Sequence, residues 1–153
     1  MIKKIISGGQ TGADRAGLDW AIAHAIPHGG WCPKGRICED GTIAPCYDLQ
    51  ETETVAYSER TRRNVRDSDG TVIFTMTSKL SQGSLLTLRT AEKLGKPCLH
   101  LAAESPLEHN VVWLQEFLRH NDIAILNVAG TRASKEPAIS EYVGTILTEA
   151  FAL

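Results

Sequence analysis

Ile2-Lys3-Lys4-Ile5-Ile6-Ser7-Gly8-Gly9-Gln10-Thr11-Gly12-Ala13-Asp14 is the stretch on which the reading of this chain turns. Residues 2–6 read as a short buried strand. Gly12 to Ala25 read as a helix, and its small residues, among them Ala13, Ala16, Gly17 and Ala21, would let it lie close to a sheet. Glycines fill the turn between the two, where positive φ and close backbone approach are needed. A strand, a glycine turn and a helix start together make an anion site, because the first turn of a helix carries unpaired N–H groups and the positive end of the dipole. The spacing, with glycines at 8, 9 and 12, is neither Gly-x-Gly-x-x-Gly nor a P-loop. Asp14 suits helix capping. It opposes a phosphate unless it holds a metal or a sugar hydroxyl, and Arg15 could offset its charge.

Working outward, the same pattern recurs. Gly30-Trp31-Cys32 reads as a second strand. Gly70 to Thr75 is the best strand in the chain and leads, through Met76 to Gln82, to Gly83-Ser84 and a helix running to Leu94. Gly95-Lys96-Pro97 closes that helix. Cys98 to Leu101 is a strand, and Pro106 to His120 is a helix with Leu107, Val111, Leu114 and Leu118 at the helical period. Ile123 to Val128 is the fifth strand. It ends in Ala129-Gly130-Thr131-Arg132-Ala133-Ser134 before a last helix over about 135–151. Ala56 to Asp67 reads as a short polar helix with Arg60 and Asn64 on one face. Only Pro33 to Glu53 has neither period. Its length predicts a functional loop that folds over a ligand, with Trp31, Ile37, Ile43, Tyr47 and Leu49 able to pack. Strands alternating with helices predict one α/β domain over 1–153. It would be doubly wound, with a mainly parallel five-stranded sheet and helices on both faces.

The 153 residues suffice for a single core, and the net charge of −2 gives no footprint for broad nucleic-acid binding. No apolar run approaches the roughly 20 residues of a membrane helix. No signal-peptide pattern opens the chain, which predicts a cytoplasmic protein. Cys32, Cys38, Cys46 and Cys98 form no C-x-x-C pair and read as free thiols, so no metal site is predicted.

In a parallel sheet, ligands sit beyond the carboxyl ends of the strands. All three glycine turns follow strands, so Gly8, Gly9, Gln10, Thr11, Gly12 and Asp14 would share that edge with Gly83, Ser84 and Thr87 and with Gly130, Arg132 and Ser134. Arg60 and Asn64 would face an anionic ligand, and Lys34 or Arg36 would add positive charge. A phosphorylated, nucleotide-like small molecule is the predicted partner. No pair of carboxylates stands out as catalytic, although Asp14 is a candidate acid or base. The pattern therefore argues for binding more than for turnover.

Several motifs together resemble the molybdenum cofactor carrier family. They are residues 8–14, Pro33-Lys34-Gly35-Arg36 with Glu39-Asp40-Gly41, Tyr57 with Arg60-Thr61 and Asn64-Val65, and Ser68-Asp69-Gly70-Thr71. Gly83-Ser84 with Thr87, Lys96-Pro97, and Asn127-Val128-Ala129-Gly130 with Arg132 and Ser134 complete the set. That family looks like a branch of a Rossmann-like superfamily shared with the lysine-decarboxylase-like phosphoribohydrolases and the DNA-processing proteins. The resemblance implies a Rossmann-like fold, a homo-oligomer, and binding of molybdenum cofactor (a phosphorylated pterin) or of a nucleotide. The alternatives it leaves open are a nucleotide-processing hydrolase and a nucleotide-derivative sensor. The phosphoribohydrolases carry Pro-Gly-Gly-x-Gly-Thr-x-x-Glu. Here Ser81 to Thr87 keep only part of that signature, and no glutamate matches its last position, which weighs against that hydrolysis.

Overall fold

The computed structural model describes residues 1–152. In chain order the elements are β1 (Lys4–Ile6), α1 (Ala13–Ala23), β2 (His28–Gly29), β3 (Trp31–Cys32), a 3-10 turn (Lys34–Arg36), β4 (Ile37–Cys38), β5 (Gly41–Thr42) and β6 (Gln50–Glu51). They continue with α2 (Tyr57–Asp67), β7 (Gly70–Thr75), α3 (Gln82–Leu94), β8 (Cys98–Ala102), α4 (Leu107–His120), β9 (Ile125–Gly130) and α5 (Ile139–Ala150). A five-stranded sheet runs β2-β1-β9-β7-β8, and every pair in it is parallel. The last strand in sequence thus takes the central place, between β1 and β7.

The sheet is covered unequally. On one face α1, α4 and α5 close over Ile5, Val72, Phe74, Leu126 and Val128, which form the main apolar core. Gly17 lets α1 sit directly on β9, since a Cβ there would stand 2.9 Å from Val128 Cβ. The other face carries α2 and α3 and is more polar. Val65, Ile73 and Ala91 are buried there together with Thr71, Thr87 and Asn127, and Asn127 Nδ2 donates to Thr71 Oγ1 at 3.1 Å. Each polar group buried on that side needs a partner, and this makes the α2–α3 side the one where a polar cleft can open. The helices that follow β1 and β7 leave on opposite faces. A crevice therefore forms at the carboxyl end of β9, the switch-point position of doubly wound sheets.

Two expectations are corrected here. The second strand is His28–Gly29, not Gly30 to Cys32. Gly30 has φ +128, and a Cβ there would lie 2.2 Å from the Ser7 carbonyl, so the chain turns out of the sheet at that point. Trp31–Cys32 instead pairs with Gln50–Glu51, and the Asn64 side chain satisfies both the N–H and the C=O of Trp31. Residues 33–53 are a folded excursion rather than a cover over a ligand. Ile43 and Leu49, flanked by Tyr47, pack with Cys32 and Cys38 on Leu18 of α1. The Arg36 guanidinium donates to the carbonyls of Ile43, Ala44, Tyr47 and Leu49 and holds the excursion together. Among the described residues, no helix is long and apolar enough to cross a membrane.

Candidate functional site

The three glycine turns meet at the carboxyl edge, but the helix starts beside them differ. Gly12 lies so close to the β9–α5 connection that a Cβ would stand 2.3 Å from the Thr131 carbonyl. That carbonyl accepts the Ala13 N–H at 3.0 Å. The Arg15 N–H donates to the Gln10 carbonyl at 3.1 Å, and the Asp14 carboxylate, which accepts the Gln10 N–H at 3.3 Å, stands beside it, so the chain's own acceptors crowd the start of α1. The start of α3 stays open. Ser81 caps it by accepting the Ser84 N–H at 3.2 Å. The N–H groups of Gln82 and Gly83 have no partner within the helix. Apart from the neighbouring residues and the backbone of α3 itself, nothing lies within 4 Å of the place a Gly83 Cβ would take. Ser84 Oγ, on a residue 3% exposed, is buried without a hydrogen-bond partner.

These groups line a cleft of about 430 Å³, a volume typical of small-molecule sites. Asp14 and Arg60 form part of its wall. Arg60 Nη1 donates to Asp14 Oδ2 at 3.2 Å, with both side chains largely buried. Burial pushes the Asp14 carboxyl above the usual aspartate value, against the pull of Arg60 and of the Gln10 N–H. Gly8 makes room for this pair, because a Cβ there would overlap the guanidinium at 1.7 Å. The Tyr57 ring carries two guanidiniums, Arg60 at 5.4 Å and Arg132 at 5.1 Å from its centroid. Arg132 and Lys135 both line the cleft, and neither takes part in any ion pair among the described residues. Two cations outside any close ion pair, beside an open helix start, form an anion-attracting pole, although Asp14 and Glu39 lie near enough to Arg132 to feel its charge.

Of the residues expected from sequence, Gln10, Asp14, Arg60, Gly83, Ser84, Thr87, Gly130 and Arg132 line this cleft. Gly8 and Asn64 lie just beneath it, around a cavity of about 10 Å³. The others are placed elsewhere. Gly9 packs against Ile43 and Leu49. The Thr11 and Ser134 hydroxyls donate to the Glu39 carboxylate, Ser134 at 2.7 Å, and tie the β4–β5 hairpin to the β9–α5 connection. Gly12 is spent on the backbone contact described above. Lys34 is exposed outside the cleft, and Arg36 is committed to loop carbonyls. Tyr57, Ser81, Gln82 and Lys135 line the cleft and were not expected as site residues. Two of them left a signal. Tyr57 precedes Arg60 by three residues on a helix and shares its face. Lys135 follows Arg132 by three residues after a glycine turn.

Residues 5–151 match the circularly permutated YpsA SLOG family. A crystal structure described as a "putative molybdenum carrier protein" from Syntrophus aciditrophicus SB superimposes with a TM-score of 0.96. The two chains are 47% identical over 99% of this chain and 96% of that one. No curated protein matches the chain.

Proposed function

The chain belongs to the circularly permutated YpsA SLOG family, and from that premise we propose that it is a carrier that binds a phosphorylated small molecule in the cleft. Molybdenum cofactor or a related phosphopterin is the favoured ligand, and a nucleotide-like molecule is the alternative. The observation that carries the reading is the pole formed by Arg132, Lys135 and the open start of α3, where the buried Ser84 hydroxyl lacks a partner. A phosphate there would accept hydrogen bonds from the Gln82 and Gly83 N–H groups and from Ser84, and the two cations would balance its charge. Asp14 and Arg60 would meet the polar edge of the ring system, and Tyr57 would offer it a flat surface. The name of the 47% identical neighbour, a molybdenum carrier, supports a molybdenum-bearing ligand; the pterin is part of the proposal. A cytoplasmic homo-oligomer is part of the same proposal. Leu107, Val112 and Trp113 of α4 are its exposed apolar residues, and light scattering is its test.

The test is mass spectrometry of whatever co-purifies with the protein, with metal analysis of the same sample. A phosphopterin, with or without molybdenum, is the expected result, and Arg132→Ala should lose it. A preparation that retains no phosphorylated molecule and binds none when offered would refute the reading. A second reading, cleavage of a nucleotide N-glycosidic or phosphate bond, has one observation in its favour. Asp14 lines the cleft with its carboxyl raised by burial, as in many general acids. It predicts turnover of a nucleoside monophosphate that Asp14→Asn abolishes while binding persists. Absence of turnover across all four common bases would remove it.

A further inference from the structure

We infer that the phosphate of the ligand is internal. On this view the ligand is a phosphodiester or diphosphate that carries a second, hydroxyl-bearing ring into a side lobe of the cleft. The inference rests on the phosphate reading above. Next to the main chamber lies a second cavity of about 170 Å³, walled by Thr75 at the end of β7, by Met76, Thr77 and Leu80 after it, and by Thr131 and Glu136 after β9. Ser81 and Lys135 line both chambers. They are also the cap of the open helix and one of the two free cations. The anion pole therefore stands at the junction of two spaces, not at the closed end of one. A ligand that ended in its phosphate would leave the lobe empty of everything but water.

The chemistry of the lobe says what would enter it. Within the lobe Lys79 and Glu136 offset one another, and its remaining positive charge is Lys135, which stands at the junction and is shared with the main chamber. Met76 and Leu80 supply apolar surface. Thr75 Oγ1 is already engaged with His100 Nε2 and the Thr77 carbonyl. The Thr77 hydroxyl and the Glu136 carboxylate make no side-chain hydrogen bond among the described residues and remain available to a ligand. A carboxylate beside a phosphate site is the arrangement by which dinucleotide folds hold a sugar diol. The lobe falls below the roughly 300 Å³ at which whole small-molecule sites begin, so it suits one ring as the extension of a larger ligand.

The experiment is isothermal titration of the full chain with matched probes. They are inorganic pyrophosphate; AMP, GMP and UMP; ADP, GDP and UDP; and ADP-ribose, GDP-mannose and UDP-glucose. The diphosphates control for added charge. Thr77→Trp places an indole in the lobe from an exposed position and leaves the main chamber untouched. At least one sugar conjugate should bind about tenfold or more tightly than its own diphosphate, the gain of one or two good hydrogen bonds. Thr77→Trp should erase that gain and leave the affinity for the diphosphate unchanged. Equal affinity of conjugate and diphosphate, or a gain that survives Thr77→Trp, overturns this inference and leaves the phosphate reading standing. If no probe binds, pyrophosphate included, this inference is overturned, and the phosphate reading falls with it only where the protein also retains no phosphorylated molecule on purification.

Discussion

Replacing Arg60 by methionine should make the stability of this protein depend on pH in a predictable direction. Arg60 and Asp14 are paired at 3.2 Å with side chains 14% and 7% exposed, so methionine leaves a carboxyl buried without its partner. Breaking one side of such a pair costs about 3–5 kcal/mol. Asp14 can escape part of that cost by taking up a proton. Its carboxyl is already raised by burial, and Arg60 is the largest influence holding it down, so Arg60→Met raises it further. A carboxyl whose folded value lies above its unfolded one binds its proton more tightly in the native state. The extra stability is complete below the unfolded value of 3.8 and is lost as pH rises through the folded value. Across that window the slope is about 1.4 kcal/mol per pH unit. Arg60→Met should therefore be mildly destabilising near pH 4 and cost about 3 kcal/mol or more at pH 8. Urea midpoints of variant and parent between these pH values, at constant m, measure the difference. The double substitution Asp14→Asn with Arg60→Met should remove the pH dependence and recover part of the loss. A penalty for Arg60→Met that stays flat with pH, or below about 1 kcal/mol at pH 8, would refute the view that Asp14 is held charged by its partner.

Gly130→Ala should lower stability by about 2 kcal/mol or more, read as a fall in Tm. The residue has φ +148, and a Cβ there would meet the Phe74 carbonyl at 2.1 Å. Glu39 is drawn below the usual glutamate value chiefly by the Ser134 hydroxyl, and next by Thr11. Its tie between hairpin and loop should hold above the ordinary value of 4.5 and loosen as pH falls through the lower folded value, seen as faster exchange of the Ser134 amide; Glu39→Gln should show that fast exchange at neutral pH. Native protein at pH 8 should react quickly with a thiol reagent at one cysteine, the exposed Cys46, and at four after denaturation. Burial pushes the Cys98 thiol up to about 11 and also raises Cys32 and Cys38. Fast labelling at Cys98 would contradict that ordering.

The sequence by itself determined the class of fold and the sheet edge at which the glycine turns gather. The reason is local. Gly70 to Thr75 has only strand chemistry, Leu107 to Leu118 has a helical period, and a glycine turn after a strand marks a carboxyl end. It also singled out Arg60, Asp14 and Gly83, which the fold brings to one cleft, since charge and backbone freedom can be read one residue at a time. What the tertiary structure decided was which helix start is free. Gly12 and Gly83 look alike in sequence. Only the packing of the β9–α5 connection against Gly12 brings the Thr131 carbonyl onto the start of α1 and leaves the start of α3 open. The fate of the cations was settled in the same way. Lys34, Arg36, Arg132 and Lys135 are equivalent on paper. In the fold the carbonyls of the excursion take up Arg36, Lys34 faces outward, and Arg132 and Lys135 stand in the cleft outside any close ion pair. Whether a charge is free is a property of what surrounds it in space, and residues far apart in the chain supply those surroundings.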